Sequence, residues 1–148
     1  MFTKNRLAAC AAFLCLGAMA AAAVADDRPY TEGPIVQVSS IRTAYGRFDD
    51  YMKYLASTWK QQQEAAKKAG LILSYSVMTV EARGADDPDI YLVTTYKNWA
   101  ALDGLTEKND ALDKQIYGSV SASNQAAVDR GKMRRAIGIT TMQELVLK

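Results

Sequence analysis

Leu71-Ile72-Leu73-Ser74-Tyr75-Ser76-Val77-Met78-Thr79-Val80-Glu81-Ala82, a polar loop over Arg83–Asp89, and Ile90-Tyr91-Leu92-Val93-Thr94-Thr95-Tyr96-Lys97 are the stretch that decides the fold. Both runs are rich in Leu, Ile, Val, Thr and Tyr, which favour extended backbone. Gly84 and Asp87-Pro88 between them supply turn chemistry, so the stretch predicts an antiparallel hairpin. Each run carries apolar residues on both alternating sets. Leu73, Tyr75 and Val77 oppose Ile72, Met78 and Val80; Ile90 and Leu92 oppose Tyr91 and Val93. A sheet made of such strands needs cover on both faces.

Upstream, Arg47–Ala69 predicts an amphipathic helix. Phe48, Met52, Leu55, Trp59 and Ala66 form one apolar stripe, with Tyr51 and Tyr54 on its shoulder. Asp49 and Asp50 at its start and Lys67 and Lys68 at its end suit the helix dipole. Gly70 is placed to cap it. Ile35–Arg42 alternates as a first strand, after a leader over Asp26–Pro34 that contains Pro29, Gly33 and Pro34. Downstream, Asn98 is placed to cap a helix beginning at Trp99. Leu102, Leu105, Leu112, Ile116 and Val120 continue a stripe through helical pieces broken near Gly104 or Asn109, the last ending around Gly131. Ala136–Leu147 reads as the final strand.

The order β-α-β-β-α-β predicts one α+β domain over residues 35–148. It is the ferredoxin-like arrangement, a four-stranded antiparallel sheet with both helices on one face. Two helices cover only that face. The simplest cover for the other is the same face of a second copy, so a sheet-to-sheet homodimer is expected.

Residues 1–25 read as a signal peptide. Lys4 and Arg6 precede an apolar stretch from Leu7 to Val24 and small residues at Ala23-Val24-Ala25. Leu7-Ala8-Ala9-Cys10 has the character of a lipidation site, but the span between Arg6 and Cys10 is too short for a signal's apolar core. An uncleaved anchor would sit at the short end of bilayer-spanning length. Cleavage after Ala25 is therefore expected, with a periplasmic or secreted product and no membrane attachment afterwards.

Both cysteines, Cys10 and Cys15, lie in that signal peptide, and the chain has no histidine. Residues 26–148 thus lack the Ser-His-Asp triad, a cysteine nucleophile, a histidine ligand for haem and the usual zinc ligands. No cofactor and no metal is expected. Of 18 basic and 16 acidic side chains, the signal peptide holds two basic ones, Lys4 and Arg6, so the remainder balances. A neutral surface gives no electrostatic reason to bind nucleic acid.

Tyr91-Leu92-Val93-Thr94-Thr95-Tyr96-Lys97-Asn98-Trp99-Ala100-Ala101-Leu102-Asp103-Gly104 resembles a segment of exported bacterial proteins of unknown function. So does the ending from Arg134-Arg135 to Glu144-Leu145-Val146-Leu147-Lys148. The element order resembles the dimeric α/β-barrel superfamily, in which two ferredoxin-like subunits pack sheet to sheet. That superfamily includes small monooxygenases, haem-degrading enzymes, chlorite dismutases and stress-response proteins. Its haem-dependent branches rely on a histidine missing here. Its cofactor-free monooxygenases use Trp, Asn or Tyr near an aromatic substrate, but none of their site residues maps onto a position of this chain.

The residues singled out for a ligand pocket are Trp59, Tyr75, Tyr96 and Trp99, which would stack an aromatic or quinone-like molecule if a space lies between helices and sheet. Tyr91 shares the central strands with them. The plainer reading of these aromatics is core packing. Arg42, at the end of the first strand, would be the polar anchor; otherwise it is a solvated strand-end charge. Asn98 reads as a cap before it reads as a catalytic group. Asp86, Asp87 and Asp89 read as a solvated turn before a calcium site, lacking the glycine and distal glutamate of a calcium loop. Arg130, Lys132, Arg134 and Arg135 read as a solvated loop edge before an anion site.

Catalytic residues are not identified. Two functions remain: a homodimeric domain that is structural or binds a small hydrophobic ligand, or a cofactor-independent monooxygenase or isomerase acting on a small hydrophobic or aromatic substrate. A filled core between helices and sheet points to the first, and a closed cavity of several hundred cubic ångströms to the second.

Overall fold

The computed structural model describes residues 27–148. The signal peptide, its cleavage position, Cys10 and Cys15 lie outside the described residues. Four strands and three helices run in the order β1 (Tyr30–Thr43), α1 (residues 48–68), β2 (Ser74–Thr79), β3 (Ile90–Tyr96), α2 (Leu105–Tyr117), α3 (Val120–Gly131) and β4 (Arg134–Leu147). A 3₁₀ turn, Trp99–Leu102, precedes α2, and the Asn98 side chain accepts the Ala101 N–H to cap it.

The strands pair antiparallel in the order β2-β3-β1-β4. With the helices on one face, this is the ferredoxin-like fold that the element order predicts. Ile35, Ile41, Ile90 and Tyr96 turn inward from the two central strands and are buried. Ile35 and Tyr96 meet Ala66 and Ile72 in one core cluster, with Leu102, Leu105 and Leu112 packed on it. Ile41 and Ile90 meet Tyr51 and Leu55 in a second. The division of the core in two leaves room between the clusters.

Several boundaries differ from the sequence reading. β1 starts at Tyr30, so the leader expected over residues 26–34 contributes its last five residues to the sheet. Of these, Tyr30, Thr31 and Glu32 pair with Leu147, Val146 and Leu145 at the end of β4. Pro34 is tolerated because the register shifts between Glu32 and Ile35, where no ladder N–H is needed. β2 is shorter than residues 71–82. Ile72 therefore belongs to the core rather than to a strand set, and the face of β2 away from the helices carries Ser74, Ser76 and Met78. The helical region after Gly104 breaks again at Gly118, whose φ of 79° ends α2. Ser119 then caps α3 by accepting the Ala122 N–H.

Helix α1 is interrupted. Phe48–Tyr54 and Lys60–Lys68 are α-helical, while Leu55–Trp59 forms a π-turn. The Ser57 hydroxyl donates to the Lys53 carbonyl at 2.7 Å, inside this loosened turn. A π-turn rotates the N-terminal half of a helix against the C-terminal half by about one residue's 100° step. Tyr51 in the first half and Leu55 at the start of the π-turn are consequently the buried pair, and Phe48, expected on the stripe, is 40% exposed.

Candidate functional site

Between the helices and the sheet lies a cleft of about 370 Å³. Its floor is the inward face of β1 and β3: Gln37, Ser39 and Ile41 from one, Leu92, Thr94 and Tyr96 from the other. These residues alternate by two along each strand, so the same pleat that buries Ile35 and Ile90 presents polar Gln37, Ser39 and Thr94 midway between the core clusters. The walls come from Tyr51, Tyr54, Trp59 and Gln62 of α1, Leu105, Asn109 and Asp113 of α2, and Arg130 at the end of α3. Arg134, Ala136 and Ile139 of β4 line the remaining side. Ile139 is 66% exposed, so that side opens to solvent.

The aromatic wall is ordered by mutual contacts. Tyr51 and Tyr54 stack at a centroid distance of 5.9 Å. The Arg130 guanidinium sits 5.4 Å over the Tyr54 ring. Arg130 also donates to the Tyr117 hydroxyl over 3.5 Å. Arg134 stands beside the Tyr51 hydroxyl. Burial raises the phenol pKa of Tyr51, opposed by the charges of Arg134 and Arg130. Burial likewise raises Tyr54, again opposed by Arg130, and Tyr96.

Asp113 is the one carboxylate in the walls among the described residues. Gln62 donates to one of its oxygens at 2.8 Å and Ser123 to the other at 2.6 Å. It thereby ties α1, α2 and α3 together.

Of the five residues singled out from sequence, Trp59 and Tyr96 line the cleft. Tyr75 lies behind Trp59, in an edge-on contact at 5.4 Å, and its hydroxyl donates to Glu64. That hydrogen bond, with burial a smaller contribution, raises its pKa. Trp99 is half exposed and donates its indole N–H to Gln143 at 3.1 Å, away from the cleft. Arg42 is on the opposite alternating set of β1 from Ile41, so it points off the helix-covered face. Its guanidinium donates to the Asp87 carbonyl at 3.4 Å, beside a separate surface depression.

The aspartates of the β2–β3 loop each have a structural partner. Asp86 pairs with Arg135, Asp87 accepts the Arg83 N–H, and Asp89 accepts both the N–H and hydroxyl of Thr43. The basic run divides. Lys132 pairs with Asp129 and Arg135 with Asp86, whereas Arg130 and Arg134 turn into the cleft. Sequence reasoning placed these two at a solvated edge. The signal available was that Arg134 falls on the same alternating set as Ala136, the set that faces the helices.

No protein-family model matches this chain, and no curated protein matches it. Among solved structures, its backbone is similar to that of protein SO0527 from Shewanella oneidensis, at 15% identity and a TM-score of 0.48, over 79% of this chain and 96% of that one. It is similar to HapK from Hahella chejuensis at 12% identity and a TM-score of 0.46, over 74% and 91%. A dimeric ferredoxin-like protein from an uncultured marine organism is similar at 10% identity and a TM-score of 0.47, over 80% and 90%. These are likenesses of backbone, and no residue role comes with them.

Proposed function

We propose that this is an exported homodimeric domain that binds a small hydrophobic or aromatic molecule in the cleft between its helices and its sheet. The observation that carries the reading is the cleft itself. Its 370 Å³ falls in the range of small-molecule sites, and it is built as such sites are, with aromatic walls and a few polar groups. A purely structural domain would fill that space, because voids in a core forfeit dispersion contacts.

A second reading, a cofactor-independent monooxygenase or isomerase, draws support from the same volume. Two features weigh toward binding instead. The cleft opens along β4 and is not closed, and it offers no group poised as a base. Asp113 has both oxygens held by hydrogen bonds, and burial keeps the hydroxyls of Tyr51, Tyr54 and Tyr96 protonated.

Export rests on the signal-like residues 1–25, and the exported protein should begin at Asp26 by intact mass. Binding is tested with N-phenyl-1-naphthylamine, a neutral probe that brightens in apolar sites. Its fluorescence should rise saturably with the wild-type protein. Thr94→Phe, which places a large side chain on the cleft floor, should abolish the rise while leaving far-ultraviolet circular dichroism unchanged. A probe signal indifferent to that substitution removes the cleft from consideration. Recovery of an unaltered ligand after incubation supports a binder; conversion to product supports the enzyme.

A further inference from the structure

We infer that the cleft is selective for anions: its ligand pairs a planar hydrophobic body with a carboxylate, which Arg130 and Arg134 receive. This deepens the binding reading above and rests on it. Both guanidinium groups border one stack. Arg130 covers the face of Tyr54, Tyr54 stacks on Tyr51, and Arg134 lies beside the Tyr51 phenol. Both arginines line the cleft, and neither belongs to an ion pair among the described residues. Their neighbours Lys132 and Arg135 do find carboxylates, so acidic groups are within reach of this segment and still leave the inward pair unneutralised.

The Nε of Arg134 is buried and has no hydrogen-bond partner; no other buried side-chain nitrogen or oxygen among the described residues lacks one. An orphaned donor at a charged group is costly to leave unmade, and it accounts for itself when a ligand supplies the acceptor. The one acidic wall residue does not serve: Asp113 is engaged by Gln62 and Ser123, and among the described residues no hydrogen bond or ion pair joins it to either arginine. Guanidinium binds carboxylate through two parallel hydrogen bonds. The Tyr51–Tyr54 stack, Trp59 and Tyr96 would bound the hydrophobic body, and Gln37, Ser39 and Thr94 on the floor leave room beneath it.

The test uses an isosteric pair, 2-naphthoate and 2-naphthamide, as competitors for bound N-phenyl-1-naphthylamine. The acid should displace the probe at a concentration lower than the amide by on the order of tenfold to hundredfold, as a charge-assisted pair implies. Arg134→Gln and Arg130→Gln should each shrink that ratio, weakening displacement by the acid more than displacement by the amide. The two variants are independent, so a folding defect in one leaves the other to decide. Equal displacement by acid and amide, with probe binding still sensitive to Thr94→Phe, overturns the anion site and leaves the binding reading standing. Absence of Thr94→Phe-sensitive probe binding overturns both.

Discussion

The chemistry of the cleft is written in tyrosines whose hydroxyls are hard to ionise. Of the eight tyrosines, Tyr51, Tyr54 and Tyr96 are raised chiefly by burial, and Tyr75 chiefly by its hydrogen bond to Glu64. In the unfolded chain each ionises near its ordinary value of about 10. The folded chain therefore holds more protons than the unfolded one above that pH, and stability falls as pH rises through and beyond 10. Below pH 10 both states are protonated and these groups add no pH dependence. A spectrophotometric titration at the phenolate band should show Tyr51, Tyr54, Tyr75 and Tyr96 lagging the others in native protein. In denaturant all eight should titrate together. Native titration in a single step at the ordinary value would contradict the buried environment assigned to Tyr51 and Tyr54. The sequence exposed part of this site. Trp59 and Tyr96 were legible because an apolar stripe and a strand alternation point them at the same interior. Tyr75 and Trp99 satisfy the same criterion, yet one hides behind Trp59 and the other bonds to Gln143 at the surface. Composition and periodicity do not distinguish a cleft wall from the layer behind it.

At the scale of elements, hydrophobic period gave the order β-α-β-β-α-β and most strand positions. It missed the extension of β1 to Tyr30, because Gly33 and Pro34 carry loop chemistry and only the pairing with Leu145–Leu147 keeps that segment extended. It also missed the π-turn in α1, which has no periodicity of its own. That turn matters to the site. It adds one residue between Tyr51 and Trp59, so both face inward, one onto Ile41 and Ile90 and the other onto the cleft. Deleting Ala56 should restore a continuous α-helix and rotate one half of α1 by about 100° against the other. Either the Tyr51–Leu55 pair or Trp59 must then leave its place. In a Trp99→Phe background, where Trp59 is the sole tryptophan, the deletion should shift emission to the red and abolish naphthylamine binding while helix content persists. Unchanged emission and binding would mean that the helix absorbs the deletion elsewhere and that the π-turn does not set the wall.

For the whole molecule, the cleft and the uncovered sheet face lie on opposite sides, which separates the two halves of the proposed function. The outer set holds Val36 and Val38 on β1 and Tyr91 and Val93 on β3, flanked by Met78 and Met142, which are about half exposed. Met142 is opposite Val36, and Val93 is opposite Val38, so they form one continuous patch across the sheet. Ser74, Ser76 and Thr95 border it, a more polar rim than the sequence pattern of β2 suggests. A two-fold pairing sets this patch against itself and would bury on the order of 1,500 Å² in total. At roughly 25 cal/mol per Å² of its apolar share, the gross gain exceeds the cost of association. A homodimer is therefore expected at micromolar concentration by light scattering. Val38→Glu with Val93→Glu places two carboxylates per copy at the centre of the patch, where desolvation has no compensation, and should give the monomer mass. Because these residues point away from the helices, the monomeric variant should keep both its circular dichroism spectrum and its Thr94→Phe-sensitive probe binding. A wild-type protein that is monomeric throughout that range would refute the dimer. A double variant that loses binding together with assembly would show that the cleft depends on the second copy.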